Sequence, residues 1–344
     1  MAKVKVNKKE LFELSSKLLA MYGVPEEDAR TVAASLIDAD ARGISSHGVV
    51  RLVQYAERLK KGLVNPKPEI RTERFGCLLS VDGDNGLGQI VAMRTLEKCM
   101  ELALEIGGVF AFIRASNHFG AAGYYTRMAA ERGYAAFATS NAGPSVPPYG
   151  GIEPMLGTNP FSFSFPAGKY GDFTIDCATS AAAKGKIRLY AREGKEIPLG
   201  WAMDADGNDT TDAAKAVLGG LLPMGWHKGY GLAMATDVLC GLLSGGKLSH
   251  ESESMYGCSA AAGTGHFFWL VRIDKLTDVK LFEARAEAWF DELKASRRRP
   301  GVDEILIPGE IENRLFAKSE ETIEIPESVV CDIKNAMCEG GCSI

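Results

Sequence analysis

The sequence predicts an α/β protein with a mixed central sheet and an N-terminal three-helix segment. Three observations carry this. Short apolar strands alternate with helical patterns between residues 78 and 139. The first 60 residues show helical periodicity punctuated by caps and breakers. Two further short strands, 161–165 and 173–175, lie close enough in sequence to pair antiparallel. A chain of 344 residues suits two domains, or one large domain with a subdomain.

Each element has a local reason. Asn7-Lys-Lys-Glu10 is a capping-box start, and Leu11, Leu14, Leu18 and Leu19 follow at helical spacing. Gly23 ends that helix, and Pro25 opens the next where a missing N–H costs nothing. The second helix runs to about Arg42, and a third carries His47, Arg51 and Tyr55 before Gly62, Pro66 and Pro68 close the block. Leu78–Val81 is a strand, followed by a helix over about 89–106. Val109–Ala115 is the next strand, with a helix over about 121–132, and Tyr134–Thr139 is the third. The two short strands lead to a helix from about Ser180, capped by Thr179 or Ser180. Residues 190–225 carry little pattern. A helix over 229–243, a strand near 266–273, a helix over 278–296 and a terminal helix–strand–helix complete the chain.

Composition narrows the function. Apolar content of 46% and charged content of 24% are those of a soluble globular protein. A net charge of −5 argues against a nucleic-acid partner, and Arg297-Arg298-Arg299 is too short to reverse that. No apolar run is long enough for a membrane span, and the N-terminus lacks the apolar core of a signal peptide. The eight cysteines form no CxxC pair, which fits reduced thiols in a cytoplasm. Cys331, Cys338 and Cys342 match no zinc spacing, so no metal site is expected.

The chemistry-bearing residues fall in short blocks. On a continuous third helix, His47, Arg51 and Tyr55 at i, i+4 and i+8 would share one face. A guanidinium can clamp a carboxylate with two parallel bonds. An imidazole one turn away can move a proton on the adjacent oxygen of a 2-hydroxy or 2-oxo acid. An exposed helix face gives the same spacing. Ser116-Asn-His118-Phe-Gly120 stands where a strand hands over to a helix, a position suited to a ligand, or a plain turn capped by His118. Lys228, between His227 and Gly229 at a helix start, suits an anion, or is an exposed lysine. Thr158 in Gly157-Thr-Asn-Pro160 and the strand exit Asp176-Cys177-Ala178 offer polar groups to a ligand, or are turns. Pro308-Gly309-Glu310 reads as a strand exit into a helix. No GxGxxG follows a strand and no GxxxxGK[ST] occurs, so neither a Rossmann site nor a P-loop is supported. His250 and His266 read as structural.

Seven ordered blocks resemble the malate/L-lactate dehydrogenase family, which is distinct from the Rossmann-type malate and lactate dehydrogenases. They are Arg42-Gly-Ile-Ser-Ser-His47-Gly-Val-Val-Arg51, Asp82-Gly-Asp-Asn-Gly-Leu-Gly-Gln89, Asn117-His-Phe-Gly-Ala-Ala-Gly-Tyr124, Gly157-Thr-Asn-Pro160, Asp176-Cys-Ala-Thr-Ser180, His227-Lys-Gly229 and Ile307-Pro-Gly-Glu310. The resemblance implies a non-Rossmann, sulfolactate-dehydrogenase-like fold that binds NAD or NADP, in a homodimer with its active site near the interface. It implies a helical segment 1–72 packed with 300–344, and an NAD(P)-binding α/β domain 73–299 with a smaller helical subdomain at about 181–258. It assigns proton transfer to His47 with Ser46, or to His118, and substrate contacts to Arg51, Tyr55 and Thr158. Cofactor contacts fall to His118, Phe119, Gly120, Ala121, Ala122, Asp176, Cys177, Ala178, His227, Lys228, Gly229, Pro308, Gly309 and Glu310. Imine-reducing members carry an acidic residue where this chain has Lys186, which disfavours an imine.

The expected activity is hydride transfer between NAD(P) and C2 of a small 2-hydroxy or 2-oxo acid of malate, lactate, sulfolactate or ureidoglycolate type. Rival readings are a reductase of a sugar-derived or cyclic-imine analogue, a metal-dependent lyase using His47, His118 and His227, and a binding protein without turnover. A Ser46–His47 nucleophile pair is disfavoured because neighbours on a helix do not face each other.

Overall fold

The computed structural model describes residues 3–339. The chain opens with β1 (Lys3–Asn7), and Asn7 caps α1 (Lys8–Met21) by accepting bonds from the amides of Lys9 and Glu10 at 2.9 and 3.2 Å. Gly23, at φ +88°, takes the left-handed conformation that turns the chain. Three acidic residues in the first turn of α2 (Glu26–Ala41) complement its dipole. Two 3₁₀ turns, Ser45–His47 and Val49–Arg51, precede α3 (Leu52–Lys60). The layered part follows: β2 (Arg71–Phe75), β3 (Leu78–Asp82), α4 (Gly88–Ile106), β4 (Gly108–Ser116), α5 (Ala122–Ala130), β5 (Tyr134–Ser140), β6 (Phe161–Pro166) and β7 (Asp172–Cys177). Then come α6 (Lys184–Arg192), α7 (Ala213–Leu218), α8 (His227–Asp237), β8 (Thr264–Arg272) and α9 (Val279–Ala295), and α10 (Glu310–Lys318), β9 (Thr322–Pro326) and α11 (Glu327–Glu339) end it.

The main sheet has seven strands in the order β2-β3-β4-β8-β5-β6-β7. Only β3 and β4 run parallel among its described pairs; the others are antiparallel. The expected mixed sheet is therefore present. β2 escaped the sequence reading because Arg-Thr-Glu-Arg-Phe is exposed along its length and shows no apolar alternation. β1 escaped because it is five residues long and pairs with β9, more than 300 residues away.

Apolar side chains gather in separate cores. Leu18, Leu36, Leu52 and Ile90 pack with Ile323, Ile325, Ile333 and Met337, so the chain's two ends share one core. A second core joins α4 and α5 to the sheet through Val81, Leu96, Ile113, Tyr125 and Phe268. A third unites Ile187, Ile197, Ala216, Leu221 and Ala233. The helix expected from Ser180 starts instead at Lys184, with Ala183 as an N-cap that supplies no side-chain bond. Thr179 is diverted: its N–H and hydroxyl both donate to the Thr158 carbonyl, at 2.9 and 3.0 Å. The helix expected over 229–243 starts at His227 and loosens into a π turn at Val238–Leu242.

Candidate active site

The continuous third helix is broken at Gly48. Gly48 is extended, at φ −83° and ψ −155°, between the two 3₁₀ turns. Asp40 causes this break: its carboxylate enters from α2 and accepts a 2.8 Å bond from the Val49 amide. A Cβ on residue 48 would lie 2.1 Å from the Asp40 Oδ1, so only glycine fits. Burial pushes the Asp40 carboxyl up to about 7, against the lowering effect of that amide. His47, Arg51 and Tyr55 nevertheless line one cavity of about 810 Å³.

The second wall is the exit of β4. A bulge between Ile113 and Ser116 and a left-handed Ala115 (φ +52°) turn the chain into Asn117-His118-Phe119-Gly120. The turn over 82–88 braces it. Asn117 Nδ2 donates to the Gly86 carbonyl at 2.8 Å, and a Cβ on Gly88 would lie 2.2 Å from the Asn117 carbonyl oxygen. Below, His266 is fully buried between Ser116 and Ser140, 2.8 Å from each hydroxyl, and stacks on Phe119 at 4.4 Å.

Two imidazoles meet in the cavity. His47 and His118 stack with centroids 5.4 Å apart and planes 18° from parallel. Tyr55 Oη lies 2.7 Å from His118 Nδ1 and accepts a 2.9 Å bond from Gln89 Nε2. Ser46 Oγ lies 2.8 Å from His47 Nδ1. The tight 3₁₀ turn thus brings these neighbours together, contrary to the helical expectation. Arg51 is buried; its Nε donates to the Ser46 carbonyl at 2.6 Å and its Nη1 to Tyr256 Oη at 2.6 Å. Burial first, and then the Arg51 charge, lower the His47 pKa to about 4. Burial, then His47, Arg51 and His266, hold His118 well below the usual imidazole range. Both rings are thus biased toward the neutral form, beside a guanidinium.

More cations surround this end. The Tyr256 ring carries Arg51 on one contact and Arg188 on another, at 5.2 and 4.7 Å from its centroid. Lys184 lines the cavity, and burial followed by the Arg188 charge lowers its pKa. Arg58 donates to the carbonyls of Gly257 and Ala260, which straps the Tyr256 segment over the site.

The cavity continues along edge strand β7. Asp172, Thr174 and Asp176 alternate onto one face of it, so its two aspartates stand about 13 Å apart. Thr158, Cys177 and Ala178 lie along the same cavity, as do Phe119, Gly120, Ala121 and Ala122. The Gly123 amide, at the α5 N-terminus, donates to Asp176 Oδ2 at 2.8 Å. The protein's own carboxylate thus takes one of the free N–H groups at this helix start. Pro308 and Gly309 close the far end, with the Thr174 amide donating to the Pro308 carbonyl at 3.1 Å.

A profile of the malate/L-lactate dehydrogenase family matches residues 6–334. The chain belongs to this family. A malate dehydrogenase of Pyrococcus horikoshii is 40% identical over 316 residues, 89% of this chain and 87% of the relative. The ureidoglycolate dehydrogenase (NAD(+)) of Escherichia coli K12 is 34% identical, covering 95% of this chain and 94% of the relative. The solved sulfolactate dehydrogenase of Methanocaldococcus jannaschii superposes with a TM-score of 0.92 at 36% identity, covering 98% of each chain. The chain is therefore a hydroxyacid dehydrogenase of the malate/L-lactate dehydrogenase family, with the expected α/β fold.

Four residues that the family resemblance assigned to the cofactor stand off this cavity. His227 and Lys228 are exposed at the start of α8, and His227 packs edge-on to Tyr149 instead. Gly229 is buried against the Met224 and Thr179 backbones. Glu310 faces away: Lys294 and Arg314 donate to it at 2.6 and 2.5 Å, and it accepts from the Ile307 amide. The His47–His118–His227 constellation is consequently not assembled within one chain. Arg297–Arg299 follow the exposed end of α9, away from the cavity. Of the thiols in the C-terminal tail, Cys331 and Cys338 are exposed and free, while Cys342 lies outside the described residues. No helix among the described residues is long and apolar enough to cross a membrane.

Several cavity residues had no readable signal. Tyr256 sits in a weakly patterned loop. Lys184, Asp172, Glu312 and Asn117 are ordinary polar residues until the fold brings them together. Asn117 lay within a block singled out from the sequence, and Lys184-Gly-Lys186 follows another.

Proposed function

We propose that the protein transfers hydride between NAD and C2 of a 2-hydroxy acid that bears a second anionic group, of malate or sulfolactate type. The carrying observation is the stacked His47–His118 pair beside buried Arg51, all three lining one cavity of about 810 Å³. Names among the relatives specify NAD(+) or NADP(+). The cavity suits such a cofactor. Small residues over 120–123 permit close approach, and the buried Asn117 Oδ1 has no partner among the described residues, which leaves an acceptor for a carboxamide or hydroxyl donor.

Bound nicotinamide supplies the hydride acceptor or donor. Arg51 holds the substrate carboxylate, exchanging its Tyr256 contact for a bidentate grip. His118 donates a hydrogen bond to the C2 oxygen. His47 takes the hydroxyl proton during oxidation and returns it during reduction, and its Nδ1 contact with exposed Ser46 leads that proton to solvent. Lys184 and Arg188 make the rest of this end positive, which favours a second anion on the substrate.

The opposite end is negative. Asp172, Asp176 and Glu312 line it, and Arg127 is held by Asp38 at 2.7 Å. A ribose 2′-hydroxyl can donate to a carboxylate there, whereas a 2′-phosphate meets like charge. Steady-state oxidation of NADH and NADPH against oxaloacetate, sulfopyruvate, pyruvate and a ureido acid tests the reading. NADH is expected to exceed NADPH in kcat/KM by about tenfold or more, equivalent to about 1.4 kcal/mol, and the dianionic acids to exceed pyruvate. Equal rates with pyruvate would remove the second-anion assignment; no oxidation across the panel would remove the enzyme assignment.

A homodimer completes the reading. Trp226, Leu232, Met234, Val238, Leu242 and Leu243 are exposed along α8 and its π turn, next to Lys228. Burying this apolar face against a second copy removes it from water. Light scattering after gel filtration is expected to give twice the 37.0 kDa chain mass; a monomer at micromolar concentration contradicts it. Free cysteines among the described residues support a cytoplasmic setting for this reading.

A further inference from the structure

We propose that Gln89 is a positioning residue that fixes His118 as its Nε2–H tautomer through Tyr55. Gln89 is fully buried in the first turn of α4 and does not line the cavity. Its Nε2 donates to Tyr55 Oη at 2.9 Å. A phenol has one proton to give, and with its oxygen engaged by Gln89 that proton goes to His118 Nδ1, 2.7 Å away. The Gly120 amide casts an independent vote. A backbone N–H can only donate, and it points at the same Nδ1 from 3.4 Å. Two donors converge on Nδ1, so Nδ1 is bare and the ring hydrogen sits on Nε2.

Turning the Gln89 amide over would direct the Tyr55 proton to Gln89 and oblige His118 to donate from Nδ1. The Gly120 amide would then face a second N–H. The same convergence of donors opposes imidazolium formation and agrees with the low pKa of His118. A neutral ring with Nε2–H can polarise a carbonyl oxygen; a ring with bare Nε2 repels it.

The tautomer itself is independent of any substrate, whereas its effect on turnover rests on the dehydrogenase reading. The test is ¹⁵N NMR of histidine-labelled protein. Five histidines are present, and His118 is assigned by loss of its signals in His118→Asn. The expected spectrum has protonated Nε2 and bare Nδ1. In Gln89→Met the phenol is no longer held, and His118 is expected to show both tautomers, with kcat for the 2-oxo acid down about tenfold and KM unchanged. A wrong tautomer at full population costs up to about 10⁴ in kcat in serine proteases. Protonated Nδ1 in the unmutated protein overturns the proposal. So does a Gln89→Met protein that keeps a single Nε2–H tautomer and its kcat. Should Gln89→Met not fold, Gln89→Glu replaces it, and the introduced carboxyl should make the tautomer pH-dependent. An Nε2–H tautomer unchanged between pH 5 and 9 there counts against Gln89. A correct tautomer without NADH oxidation would sink the function and leave the positioning intact.

Discussion

Arg51→Ala is expected to lower kcat/KM for the 2-oxo acid by roughly 30- to 3,000-fold. Removing one partner of a buried, charge-assisted pair costs about 2–5 kcal/mol, and each 1.4 kcal/mol is tenfold. The substrate carboxylate is held alike in ground and transition states, so most of the loss should appear in KM. Arg51 is also tied to the Ser46 carbonyl and to Tyr256, so part of the loss will come from a displaced His47. Arg51→Lys separates these effects. An ammonium keeps the charge but lacks the planar fork, and recovery should be partial. NADH binding, followed by fluorescence, should be little changed in both variants because the family resemblance assigns the cofactor contacts to other residues. Unaltered keto-acid kinetics in Arg51→Ala would mean that the carboxylate binds elsewhere.

His47→Ala is expected to reduce kcat by about 10²–10⁴, the usual worth of a positioned acid–base group, with little change in KM. The pH profile adds a sharper requirement. His47 has its pKa lowered to about 4 by burial and by Arg51. Oxidation of the hydroxy acid needs the neutral ring as base, and kcat/KM reports the free enzyme. The acid limb should therefore fall as pH drops through about 4, and the profile should be flat between pH 5 and 7. An unperturbed imidazole would instead place the break near 6.5. A break at 6–7 that disappears in His47→Ala would show that the ring titrates normally and that its surroundings do not depress it.

The layered part of the fold was legible because its strands and helices declare themselves locally. Val109–Ala115 and Tyr134–Thr139 are apolar runs, and the helix between them has its own period; each lies within a residue or two of β4 and β5. β1 and β2 were not legible, since one is stabilised by a partner from the far end of the chain and the other is a polar, exposed edge. At the site, the spacing of His47, Arg51 and Tyr55 pointed to a shared wall, but the helix invoked to produce it is broken. The cause is a contact from α2, the Asp40 carboxylate, which no local pattern around Gly48 reveals. Lys228 was attractive for its place at a helix start, yet within one chain that start faces outward. Tyr256 and Lys184 are invisible in sequence because their meaning lies in which cations they stand beside.

The most direct measurement is the fate of the transferred hydrogen. NADH deuterated at C4 on the transferred face should be incubated with the enzyme and oxaloacetate or sulfopyruvate, and the product examined by proton NMR and mass spectrometry. One deuterium bound to C2 of the resulting 2-hydroxy acid is expected, with its loss in step with the slowed turnover of the His47 and Arg51 variants. Cofactor oxidation without deuterium at C2, or a product labelled at any other carbon, would contradict hydride transfer at this site.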